Sequence, residues 1–197
     1  MAPMPSTELS LDDKKALMAI ARQSINHGLA THTLLSVNPA DYSDNLQQQR
    51  ATFVTLTIQQ QLRGCIGTLD AYQSLLEDVT EHAYAAAFKD PRFPPVTPAE
   101  FEQLEIHISI LTPSAPVHFT SEQDLIQQLR PGIDGLILEY KLNRGTFLPS
   151  VWDSLPDAND FLKHLKRKAG LDQNFWDDAI TISRYETQSI SEQDIMN

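Results

Sequence analysis

The chain has 197 residues, 41% of them apolar and 21% charged, which is enough to bury a full core and too apolar for a disordered chain. A formal charge of −11 sets it against nucleic acid and anionic membrane surfaces, both of which are polyanions. One cysteine, Cys65, and six scattered histidines exclude an intrachain disulfide and a closed four-ligand site, so no metal and no cofactor is expected.

No stretch approaches the roughly 20 apolar residues of a membrane helix. Met1–Ser6 carry neither a basic region nor an apolar run, so the expected location is the cytoplasm. Residues 10–190 are expected to form one domain, between a tail at 1–9 and another at 191–197.

Ser10 followed by Asp13 marks a helix start, and Leu17, Ile20, Ala21 and Ile25 give it an apolar stripe ending near Gly28. Residues 38–49 are polar, with Pro39, and read as a surface loop. Thr52–Ile58 is β-branched and strand-like. Residues 59–68 carry a turn and a second strand through Cys65 and Ile66. Leu76, Val79, Ala83, Ala86 and Ala87 form the next helix, stopped by Asp90-Pro91. Arg92-Phe93-Pro94-Pro95 is rigid and non-helical, since a residue before proline is pushed out of the α region. A cis proline is one way to build such a turn. Thr97-Pro98-Ala99-Glu100 is a capping box. Leu104, Ile106, Ile108 and Ile110 alternate with polar residues, as in a half-buried strand.

The second half repeats this order. A strand over 136–142, a turn at Asn143-Arg144-Gly145 and a return strand over 146–148 precede a helix over 158–169, which stops at Gly170. Residues 179–185 close as a strand. Lys163, Lys166, Arg167 and Lys168 read as a solvated helix end, where cations suit the helix dipole. Arg63-Gly64 and Arg144-Gly145 are each followed by a returning strand, Ile106–Ser109 and Ile180–Ser183, which suggests an internal duplication. The fold class is therefore α+β: a mixed or antiparallel, barrel-like sheet with helices outside, since hairpins dominate.

Leu62-Arg63-Gly64-Cys65-Ile66-Gly67, followed by Ala86–Pro95 with its Asp-Pro-Arg-Phe-Pro-Pro run, resembles the AMMECR domain family. The likeness continues through residues 104–111, Gly132–Gly135, Thr146–Pro149 and Ile182–Tyr185, so it spans about residues 10–190. At position 134 the chain has Asp, where some members have histidine. The resemblance implies a barrel-like α+β fold with a cleft bordered by the Cys65 segment. It also implies a context, the AmmeMemoRadiSam gene set. There the partners are a Memo-like protein, related to non-haem iron dioxygenases, and a radical S-adenosylmethionine enzyme. It supplies no reaction.

Gly64 and Gly67 permit close backbone approach around Cys65. In one reading Leu62, Cys65 and Ile66 fill a core, as free cysteines often do. In the other Cys65 is an accessible nucleophile with His107 as its candidate base. Arg63, Arg92 and Arg144, beside glycine or proline on expected turns, suit recognition of an anion. The expected binding residues are thus Arg63, Gly64, Gly67, Arg92, Phe93 and Arg144, which would take a small anionic ligand or an acidic partner segment. An alternative for Arg92 is a loop staple to Asp90. No nucleotide-binding or hydrolase motif is present, which favours an accessory or ligand- and partner-binding component over an enzyme using Cys65 in group transfer.

Overall fold

The computed structural model describes residues 9–195. They form two compact units: the first ends at Ile110 and resumes at Gln188, and the second runs from Leu111 to Thr187.

The first unit opens with helix α1 (Leu11–Thr31). Ser10 Oγ accepts the Asp13 amide at 3.1 Å while the Asp13 carboxylate accepts the Ser10 amide at 3.2 Å, which satisfies two otherwise orphaned donors. The helix does not stop at Gly28. It runs on to a left-handed His32, φ 58°. Gly28 is a packing gap, because a Cβ there would lie 2.4 Å from the Phe88 ring. The polar segment read as loop holds a short helix, α2 (Asp44–Gln47), around the fully buried Leu46.

Strands β1 (Thr52–Ile58) and β2 (Gln61–Gly67) form a hairpin. Its turn is Gln59-Gln60 at φ 50° and 64°, so two glutamines take left-handed backbone where the sequence offers no glycine. Leu56 faces Gly64 but Thr57 faces Leu62, leaving Arg63 as the extra residue of a β-bulge. Helix α3 (Leu75–Phe88) follows, then α4 (Pro98–Phe101), started by the Thr97–Glu100 capping box, then β3 (Glu105–Leu111), antiparallel to β1. Val54, Leu56, Ile106 and Ile108 face one way and pack with Leu17, Ile25, Val79 and Ala83 from α1 and α3. Each such buried aliphatic side chain contributes roughly 1.5–3 kcal/mol of transfer free energy. Among the described residues no peptide bond is cis, so the rigidity of Phe93-Pro94-Pro95 comes from trans prolines.

The second unit holds β4 (Ala115–Pro116), α5 (Glu122–Gln128), β5 (Gly135–Tyr140), β6 (Asn143–Phe147), α6 (Ala158–Lys168) and β7 (Thr181–Tyr185). Its core gathers Leu136, Leu138, Phe161, Leu165 and Trp152, with Trp152 stacked on Phe161 at 3.7 Å between centroids. The β5–β6 turn falls at Lys141-Leu142, with Lys141 at φ 55°, so Arg144-Gly145 lies inside β6 and not in the turn. Lys166 is also unlike the expectation of a solvated helix end. It is 1% exposed, donates to Glu122 and to the Phe175 carbonyl, and lies over the Trp176 ring. Asp134 is fully buried and accepts from the Arg130 amide and Nε, both at 2.9 Å, which gives that carboxylate a structural role.

The chain then returns to the first unit with β8 (Thr187–Ser191) and a short α7 (Glu192–Ile195), which lies within the expected tail at 191–197. The α+β class holds, but the single barrel-like sheet does not form. The described residues form two four-stranded sheets, ordered β2-β1-β3-β8 and β6-β5-β7-β4. Both build a hairpin, add a helix and lay the returning strand beside the first strand of the hairpin. Leu56 faces Gly64 and Ile106, as Leu138 faces Gly145 and Ile182. Ile106 therefore corresponds to Ile182, two residues beyond the position the sequence repeat suggested.

Candidate functional site

The two most recognisable sequence runs meet along β2, the edge strand of the first sheet. Gly64 lets α3 close onto that strand, since a Cβ would fall 2.1 Å from the Ala86 carbonyl oxygen. Gly67 is equally confined, since a Cβ there would fall 2.3 Å from the Thr52 carbonyl oxygen and 2.4 Å from the Phe53 ring. Beyond α3, the Asp90–Phe93 turn folds back on the exposed edge. Asp90 accepts the Cys65 amide at 2.9 Å, and Arg92 Nη2 donates to the Cys65 carbonyl at 3.3 Å. A side-chain pair thus takes the place of a neighbouring strand and blunts the edge. Arg92 Nη2 and Nε grip Asp90 at 2.7 and 3.0 Å, the loop staple weighed from sequence. These bonds from Arg92, foremost among the causes, hold the Asp90 carboxyl far below the usual carboxylate range.

Arg63 is turned by the bulge into the same loop. Its Nε and Nη2 bind Glu100 at 2.7 and 3.1 Å, and Nη2 also donates to the Pro94 carbonyl at 3.0 Å. Phe93 lies near both guanidinium groups, 5.8 Å from that of Arg63 and 5.5 Å from that of Arg92. Glu100 serves twice, because the carboxylate that receives Arg63 also accepts the Thr97 amide and closes the α4 capping box. Its pKa is drawn down to about 2, chiefly by Arg63. Nη1 of Arg63 is buried without a hydrogen-bond partner among the described residues.

Arg144 belongs to the second unit, is half exposed and pairs with Glu139 at 3.2 Å. Arg63, Arg92 and Arg144 each meet a carboxylate of this chain. The uncompensated positive focus that would draw an anion is therefore absent from the three positions chosen for it.

The opposite expectation, that Cys65 fills the core, also fails. Leu62 is 43% exposed, Ile66 only borders the core, and Cys65 is half-buried on the sheet face away from Val54 and Leu56. Strand pairing sets Cys65 opposite Thr55, and Thr55 opposite His107. Cys65 Sγ lies 3.1 Å from Thr55 Oγ1. His107 is exposed two strands from the thiol, about 10 Å at ordinary strand spacing. The row is Cys65, Thr55, His107, with the hydroxyl between the other two.

Sequence reasoning missed Thr55, Asp90 as a clamp, and Glu100. Alternation along β1 carries the first signal, and the third position of the capping box carries the last. It also missed a buried trio: Thr52 Oγ1 donates to Asp78 at 2.6 Å and lies 3.2 Å from His82 Nδ1. Asp78 and His82, four apart on the apolar face of α3, were the available sign. Among the described residues no group of three or more His, Cys, Asp or Glu is placed to hold a metal, and no helix is long and apolar enough to cross a membrane.

The AMMECR1 family model matches residues 18–190. A protein of Methanothermobacter thermautotrophicus is 37% identical over 96% of this chain and 99% of its own length. One from Methanocaldococcus jannaschii is 34% identical over 93% and 92%. Among solved structures, the crystal structure of an uncharacterized protein from Pyrococcus horikoshii superposes with a TM-score of 0.78 at 31% identity, covering 88% of each chain.

Proposed function

The chain belongs to the AMMECR1 family, and we propose that it is an accessory binding component that holds a small polar ligand or a partner segment against the Cys65 face of β2, β1 and β3. The observation that carries this is the position of Cys65. Its backbone is fixed on both sides by Asp90 and Arg92, and its thiol lies beside a hydroxyl on the polar side of the sheet. A side chain kept only for packing would sit with Val54 and Leu56. Thr55, Thr57 and Ser109 supply hydroxyls on the same face, and His107 an imidazole. The partners in this reading are the Memo-like protein and the radical S-adenosylmethionine enzyme that the family resemblance implies.

Co-purification with those two proteins, followed by mass spectrometry for a retained small molecule, tests the proposal. Thr55→Arg fills the centre of the face and should cut partner or ligand retention at least about tenfold, while Cys65→Ser leaves it nearly intact. A natively folded Thr55→Arg protein that retains both partners and ligand at wild-type levels would remove this face from the function.

A second reading rests on the Cys65–Thr55–His107 row, in which Cys65 is a nucleophile, His107 its base, and the Thr55 hydroxyl stands in the strand between them. Under that reading Cys65→Ser abolishes turnover in the reconstituted three-protein mixture without changing binding. Undiminished turnover by the Cys65→Ser protein rejects it.

A further inference from the structure

The second unit has an open groove of about 430 Å³ between α5, α6 and residues 173–176, distant in sequence from the motifs described above. That volume lies within the ordinary range of small-molecule sites, roughly 300–1,000 Å³. At its base is the ammonium of Lys166, 1% exposed, bound to Glu122 and to the Phe175 carbonyl. An ammonium has three donors, and these contacts occupy two. Glu122 keeps a second oxygen, and its side chain is 34% exposed along the same groove. A donor and an acceptor thus stand side by side on a fixed pair.

Trp176 lines the groove and is held from two sides, by the Phe119 ring at 5.7 Å and by Lys166 Nζ at 5.8 Å. The carboxamides of Gln123, Asn159 and Asn174 line it too; that of Asn159 also meets the Asp157 carboxylate, while those of Gln123 and Asn174 make no hydrogen bond among the described residues. The charges are balanced locally. Lys166 is matched by Glu122, and Lys163 by Asp160 at 3.6 Å. With the charges that line it each paired, the groove does little to concentrate an ion.

We infer that this groove binds a neutral polyhydroxylated ring. An indole packs against the apolar face of such a ring, and each carboxamide gives and takes a hydrogen bond with its hydroxyls. A hydroxyl, at once donor and acceptor, completes the Lys166–Glu122 pair, which neither a donor-only ammonium nor an acceptor-only carboxylate can do. The chemistry is shared by free saccharides and by the ribose of a nucleoside.

The test uses the full chain, with the Trp176 indole N–H resonance as the reporter. The probes are a panel of neutral mono- and disaccharides and the unphosphorylated nucleosides, each at millimolar concentration. Trp152, the other tryptophan, is 3% exposed and serves as the internal reference. At least one probe should shift the Trp176 signal saturably while that of Trp152 stays in place. Response to saccharides alone or to nucleosides alone names the source. Gln123→Ala with Asn159→Ala, both at the groove rim, should weaken that binding about tenfold, and Trp176→Ala by at least as much. The double variant keeps the test valid if Trp176→Ala does not fold. No saturable shift with any probe overturns the inference, as does a shift unaltered in the rim double variant.

Discussion

The two halves of the chain use one strand order for different ends. In each, a glycine on the second hairpin strand lets a helix close on the sheet: Gly64 under Ala86, Gly145 under Ala169. In each, an arginine precedes that glycine. β6 is regular, so Arg144 lies opposite Glu139 in the ladder and remains half exposed. β2 carries one extra residue, and that residue is Arg63, with only 10% of its side chain exposed. The glycine is therefore the shared packing device. The bulge converts the neighbouring arginine from a surface charge into the anchor of a loop, and it gives the first half the more elaborate edge.

Six substitutions sharpen or break that comparison. Gly64→Ala should be the most damaging, at about 3 kcal/mol or more, because the added carbon meets a backbone oxygen that cannot turn aside. Gly145→Ala meets Ala169 at 2.8–3.0 Å and should cost about 1–2 kcal/mol. Equal losses in urea unfolding would deny the distinction. Next is Asp90→Ala, which strips the Cys65 amide and Arg92 of their partner and should cost about 3 kcal/mol. Hydrogen exchange at Cys65 should rise in that variant, and an unchanged rate argues against the edge clamp.

Arg63→Ala should cost about 2 kcal/mol and Arg144→Ala less than about 0.5 kcal/mol, since only the first breaks a buried bidentate pair. Matching thermal melts for the two variants would contradict this. The smallest effect is on pH dependence. The folded pKa of Glu100, about 2, lies below its ordinary 4.5. The stability it lends is complete above about pH 4.5 and is lost as the pH falls towards 2. Glu100→Gln should flatten the acid-side fall in Tm across that window, and a curve parallel to wild type would assign the fall to other groups.

Much of this was legible in the sequence where the signal is local. The capping boxes at Ser10 and Thr97, the alternation through Ile106 and the left-handed stop at Gly170 all depend on residues within a few positions of each other. Both hairpin turns misled, because non-glycine residues took positive φ while the nearby glycines were reserved for helix packing. The division into two sheets was not legible, since period-two patterning marks a strand's faces and says nothing of which sheet it joins. The candidate site was half legible. Its segments and the Arg92–Asp90 staple are legible, but the partner of Arg63 is not, because Glu100 already has a sufficient local role in a helix cap. Lys166 was misread for a similar reason: a run of cations on one helix does not reveal that one of them turns inward to Glu122.

The strand order has a consequence for synthesis. The second unit is continuous in the chain, whereas the first closes only when β8 arrives from beyond residue 187. On the ribosome every residue of the second unit has emerged before β3 can receive its outer neighbour. Until then β3 offers a bare edge flanked by Ile106, Ile108 and Ile110, the kind of surface on which nascent chains pair wrongly with one another. A stop codon shortly before Thr187 would thus leave the second unit's strands intact and make the product prone to aggregate through the first.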